Sequence, residues 1–111
     1  MKEQNRDPTS ERNLKTLDSE SVEMLRIALL REGDRACPRW MGIDAYELRV
    51  QQIVPNATRR DVERELQYLV DKGLFVECIK IISPENRHFR IHAGGRDYLA
   101  ERRIPRGRSE G

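Results

Sequence analysis

Residues 58–75 constrain the fold of this chain more than any other stretch, because they spell out a complete amphipathic helix, its stop and the start of a strand. Val62, Leu66, Leu69 and Val70 recur at i, i+4, i+7 and i+8, which lays one apolar stripe along a helix. Thr58 opens it as an N-cap, and Asp61 sits at the third position, placed to return the bond. Lys72 and Gly73 supply a basic last turn and a glycine terminator. The chain then changes period: Phe75-Val-Glu-Cys-Ile-Lys-Ile-Ile82 is strand chemistry. A turn over residues 83–86 returns it into a second strand over 87–92. There Phe89 and Ile91 alternate with His88, Arg90 and His92, so one face is apolar and the other polar and partly basic. Gly94 and Gly95 break that strand before a short helix over 96–103 that docks Tyr98 and Leu99.

Two further helices precede this unit. Asp18 or Ser19 caps the first, Glu20 and Glu23 complement its positive end, and Val22, Leu25, Ala28 and Leu29 recur at helical spacing until Gly33 stops the run. Residues 34–42 are irregular, with Pro38 and Gly42 marking a loop that has room for a short extended stretch around Trp40. Asp44 caps the second helix with Glu47 reaching back as in a capping box. Its apolar positions are Tyr46 or Ala45, Leu48, Ile53 and Val54, and Pro55 ends it by pushing the preceding residue out of helical geometry. Residues 1–18 carry four basic and four acidic side chains and almost nothing aliphatic, so burial does not offset their ordering entropy and a flexible tail is expected. Residues 104–111 have breakers and little to bury, and a second mobile tail is expected there. One folded unit, 19–103, remains. It is too small to bury a core and also carve a deep catalytic cleft.

Several classes fall away. No apolar run approaches the roughly 20 residues a membrane span needs, and the polar opening has no signal-peptide core, which points to the cytoplasm. Cys37 and Cys78 stand far apart with no CxxC, so both read as reduced and structural, Cys78 as a small buried hydrophobe. His88 and His92 lie about 13 Å apart along a strand, too far to share a metal without a third element. No nucleophile elbow, phosphate loop or Cys/His pair is present, so no enzyme activity, cofactor or metal is expected. The lone Trp40 reads as a plug over the core, with a partner-facing anchor as the alternative.

Helix, helix, tight turn, helix, hairpin and terminal helix is the order of a winged helix-turn-helix. Two stretches carry the likeness. Thr58-Arg-Arg-Asp-Val-Glu-Arg-Glu-Leu-Gln-Tyr-Leu-Val-Asp-Lys-Gly-Leu-Phe75 resembles the recognition helix and helix-to-wing junction of winged-helix regulators. Phe89-Arg-Ile-His-Ala-Gly-Gly-Arg-Asp-Tyr-Leu99 is similar to the second wing strand and the glycine-led final helix. With the two preceding helices the resemblance covers residues 19–103, and it extends to compact bacterial repressors and small phage or prophage-encoded proteins. It implies an α+β fold with a three-helix core, a two-stranded β wing and a short C-terminal helix. It also implies sequence-specific binding of double-stranded DNA by a bacterial or phage transcriptional regulator. Thr58, Arg59, Arg60, Arg64 and Gln67 would then meet the major groove, with Lys80, Arg87, His88 and Arg90 on the backbone or in the minor groove. Winged helices also serve as protein-docking modules, so an adaptor or assembly factor without DNA binding is the alternative. A homodimer stays open, since no long C-terminal coiled-coil helix is visible to drive one.

Charge supports both readings. The net charge is only +2, yet residues 78–108 hold eight basic and three acidic side chains, which concentrates positive charge on the hairpin and the segment after it. The helix over 58–73 is balanced instead, four against four. A salt-bridged solvent face explains that balance as well as a DNA contact does.

Overall fold

Asp18 begins the fold: its carboxylate accepts the backbone N–H of Ser21 at 2.8 Å and so caps the first helix. The structure, a computed structural model, describes residues 17–80 and 85–108, with side chains as far as Arg102. Of the expected amino-terminal tail only Leu17, packed against the core, and Asp18 fall within the described residues.

Helix α1 (Ser19–Ala36) buries Leu25, Ala28, Leu29 and Leu30. It continues past Gly33 to Ala36, so this glycine is not the stop that the sequence predicts. A Cβ at Gly33 would stand 2.6 Å from Phe75 Cζ and 3.3 Å from Ile91 Cβ. Gly33 is a notch in α1 that admits the hairpin.

Strand β1 (Met41–Gly42) leads directly into α2 (Ile43–Val50). This helix starts from Gly42 rather than from Asp44, and no side chain of its own caps it. The hairpin does so from outside. Arg87 offers its carbonyl to the Ile43 N–H at 2.8 Å, and Asn86 offers Oδ1 to the Asp44 N–H at 2.9 Å, which satisfies first-turn amides that lack partners within the helix. Starting at Ile43 sets the phase: Ile43, Tyr46 and Val50 point inward, and Leu48 is left 67% exposed. The helix ends at Val50, before the predicted stop at Pro55, and Ile53 is left on the surface of the following turn. The sequence places both residues inside.

Helix α3 (Arg59–Asp71) follows the sequence closely. Thr58 and Asp61 form the capping box in both directions. At the other end Gly73 adopts a left-handed φ of +79°, and the Leu74 N–H reaches back to the Leu69 carbonyl at 2.8 Å, the closure that favours glycine at this position. Val62, Leu66 and Leu69 are buried.

Strands β2 (Phe75–Glu77) and β3 (His88–Ile91) pair antiparallel, Phe75 opposite Ile91, and β1 adds to the other edge of β3, Met41 opposite Phe89. The sheet is therefore three-stranded, in the order β1-β3-β2: besides the two hairpin strands it includes β1, in the loop where the sequence leaves room for a short extended stretch around Trp40. β2 is also shorter than predicted. Pairing persists to a bond from the Cys78 N–H to the His88 carbonyl at 2.9 Å, but Cys78 is half-buried, not enclosed, and Ile79 is 92% exposed. The end of the predicted strand and the start of the predicted turn, residues 81–84, lie outside the described residues.

Helix α4 (Ala93–Arg108) is longer than expected and takes both glycines into its first turn. A Cβ on Gly95 would collide with the Leu74 carbonyl oxygen and stand 2.8 Å from Ile91 Cγ1, and one on Gly94 would stand 3.1 Å from the Gly73 carbonyl oxygen. These glycines permit a close approach of two backbones and do not break the chain.

Among the described residues the fold is thus α+β, four helices and a small three-stranded antiparallel sheet. α1 packs against α2, α3, α4 and β3 around a core of Leu25, Leu29, Tyr46, Leu66, Phe75 and Phe89. Tyr46 meets Phe75 edge to face at 5.9 Å, and its hydroxyl donates to the Phe89 carbonyl at 3.3 Å. Burial pushes the phenol pKa up and keeps it a neutral donor. No helix of the described residues is long and apolar enough to cross a membrane.

Candidate nucleic-acid interface

Because α3 turns Val62, Leu66 and Leu69 inward, Arg60, Arg64 and Gln67 face solvent. Their surroundings differ. Arg60 is exposed and has no side-chain partner among the described residues. Arg64 bonds Asp61 at 2.6 Å and lies 3.6 Å from Glu65, two carboxylates that are almost fully buried. Gln67 donates to Asp71 at 3.0 Å and accepts from Arg87 at 3.0 Å. The Thr58 hydroxyl is used in the cap, accepting from the Asp61 N–H at 3.1 Å.

Arg59 binds three separate elements together. It donates to the Asp44 carboxylate of α2 and to the Glu85 carbonyl of the hairpin, and to Glu47 at 3.1 Å. The bond to Asp44, supported by Glu47, raises its pKa further above the ordinary guanidinium value. On the hairpin, Arg87 makes two bonds of 2.7 Å to the Glu77 carboxylate, the forked geometry that suits a guanidinium. His88 Nδ1 lies 2.9 Å from the Asn86 carbonyl. The Arg90 guanidinium sits 4.4 Å from the centre of the Trp40 ring, so this tryptophan is a half-open surface platform stacked by a cation, and not the core plug its rarity suggests. Lys80 is exposed, and its ammonium has no partner among the described residues.

These contacts have two results. The Gln67–Arg87 and Arg59–Glu85 bonds join α3 to the hairpin, so Arg59, Gln67 and Arg87 belong to one connected surface, while Arg90 stacks on Trp40 instead. The same contacts neutralise much of it, because Arg59, Arg64 and Arg87 each already hold a carboxylate. A phosphate approaching any of these three must compete with a protein carboxylate, whereas Arg60 and Lys80 have no competing carboxylate among the described residues. The sequence names the basic residues but not their partners. Asp44 is 15 positions from Arg59, and Glu77 is 10 from Arg87, and no local spacing rule reaches that far. The Asp61–Arg64 pair, three residues apart on one helix, is the kind that spacing does reveal.

The Glu77–Arg87 fork has a pH signature. Hydrogen bonding from Arg87 lowers the Glu77 pKa from its ordinary 4.5. A carboxylate whose folded pKa is depressed contributes stability above its unfolded pKa and loses it as pH falls through the folded one. The midpoint of urea unfolding, measured from neutral pH down to below 4.5, is expected to fall less steeply in Glu77→Gln than in the parent chain. Parallel curves would mean that the fork contributes nothing in solution.

No group of three or more metal-ligating side chains occurs among the described residues, and both cysteines are free. No family model, curated protein or solved structure matches the chain.

Proposed function

We propose that this chain is a winged-helix protein that binds duplex DNA, with α3 as the recognition helix in the major groove and the β2–β3 hairpin as the wing. The observation that carries the reading is the attachment of the hairpin to α3 through Gln67 and Arg87. It sets a solvated helix face beside a strand hairpin, the pairing of elements that winged-helix regulators use. Arg60, exposed in the first turn of α3 and without a side-chain partner among the described residues, takes the role of base contact, bidentate to a guanine, and Gln67 suits an adjacent adenine. Lys80 serves a phosphate as a point charge. Arg59 and Arg87 hold helix and wing in register instead of reaching the duplex. In this reading the protein is a small transcriptional regulator of bacterial or phage type.

Titration of a fluorescent duplex across salt concentrations tests it. Binding should weaken as salt rises, and Lys80→Ala should reduce the logarithmic salt slope by about 1. Arg60→Ala should cost about tenfold or more on a selected site. No binding at low salt, or a slope unchanged by Lys80→Ala together with an affinity unchanged by Arg60→Ala, would remove the DNA reading. A protein-docking module of the same fold is favoured by one observation, the carboxylate already seated on each of Arg59, Arg64 and Arg87.

A further inference from the structure

The outward face of α1 has a pattern that the core does not use. Glu20, Met24, Ile27 and Arg31 follow one another at spacings of four, three and four, which places them on a single helix face. All four line one open groove of about 270 Å³, together with Ala28, with Ile53 from the turn after α2, and with Glu23 and Arg102, which stand 4.0 Å apart and offset each other's charge. Met24 is 47% and Ile53 44% exposed, side chains that a solvated surface has no need to present side by side. The two ends of the stripe are charged and opposite. Glu20 and Arg31 are both exposed, and neither has a partner among the described residues, in contrast to the paired charges around α3.

We infer that this face pairs with the same face of a second copy, α1 against α1 in antiparallel sense about a two-fold axis between Met24 and Ile27. The axis sends Met24 onto the partner's Ile27 and Glu20 onto the partner's Arg31, each contact occurring twice. The pattern of acid, apolar centre and base is self-complementary only in this sense. A parallel pairing would set Glu20 against its own copy and Arg31 against its own copy. An isologous contact requires such self-complementarity, whereas a different partner would have to supply a matching pattern of its own. The patch is confined to one helix face and Ile53, far from the extent of an obligate interface, so the dimer forms and dissociates with concentration. The inference rests on α1 and Ile53 and does not depend on DNA binding.

Sedimentation velocity on the full chain, without nucleic acid and over a hundredfold range of concentration, tests it. The average mass should climb from 13.0 kDa toward twice that value. Met24→Glu, a change at an exposed position, should hold the chain at the monomer mass with an unchanged circular dichroism spectrum. Glu20→Arg and Arg31→Glu should each weaken association by about tenfold, since each turns two attractive pairs into repulsive ones. The double reversal, Glu20→Arg with Arg31→Glu, should restore it to within about twofold of the parent. A chain that stays monomeric throughout overturns the inference and leaves the groove to a different partner. A dimer that ignores Met24→Glu, or a double reversal that stays as weak as the single ones, overturns it as well.

Discussion

Replacing Phe89 with alanine is expected to destabilise the protein by about 3–5 kcal/mol, lowering Tm by at least about 12 °C. Phe89 is fully buried on the central strand, opposite Met41 on one side and Glu77 on the other. Its carbonyl receives the buried Tyr46 hydroxyl. Removing the ring opens a cavity where β3 meets the helices, and a side chain held between two strands has few neighbours able to move into the gap. A domain of this size has roughly 5–15 kcal/mol of stability in total, so the variant should lie near its unfolding midpoint at modest urea concentrations. Equilibrium urea unfolding followed by circular dichroism measures the change. A loss below about 1.5 kcal/mol would mean that the ring is not enclosed as described.

Gly95→Ala is the second large effect, and it acts by excess instead of deficit. The added methyl meets the Leu74 carbonyl oxygen and the Ile91 side chain at once. A backbone carbonyl cannot rotate away, so α4 must lift from the 73–74 segment or the segment must shift. The cost should reach about 3 kcal/mol, the upper part of the range for overpacked sites. Gly94→Ala is the internal comparison. Its methyl would stand 3.1 Å from the Gly73 carbonyl oxygen, which a few tenths of an ångström relieves, and alanine recovers some helix propensity in the first turn of α4. Thermal unfolding of the two variants side by side should therefore separate them by several degrees. Equal Tm values would contradict the close approach at Gly95.

Structure is legible in this sequence where every signal lies within one short window. Helix α3 is such a case: its cap, stripe and glycine closure all fall between Thr58 and Leu74, and each forms as expected. The start of α2 is not legible, because its amides are satisfied by Asn86 and Arg87 from the far side of the hairpin, and the displaced start turns Leu48 outward. Gly33, Gly94 and Gly95 read as stops for a related reason. A glycine in a sequence records that a side chain is missing without saying which neighbour occupies the space. At the candidate site the residue types and the exposed helix face are legible, and the ion pairs are not. Asp44 and Glu77 become partners of Arg59 and Arg87 only once helices and hairpin are brought together.

Those ion pairs also shape the electric field that this surface presents to the solvent. A guanidinium held against a carboxylate looks from a distance like a dipole, and the field of a dipole decays faster than that of a single charge. Three of the cations expected to attract a polyanion are arranged in this way. If the proposed reading holds, the approach of DNA should be only weakly steered, with association nearer about 10⁵–10⁶ M⁻¹s⁻¹ than the 10⁸–10⁹ M⁻¹s⁻¹ of strongly charged partners. Discrimination among targets is thereby deferred until after collision and resides in how long each complex lasts.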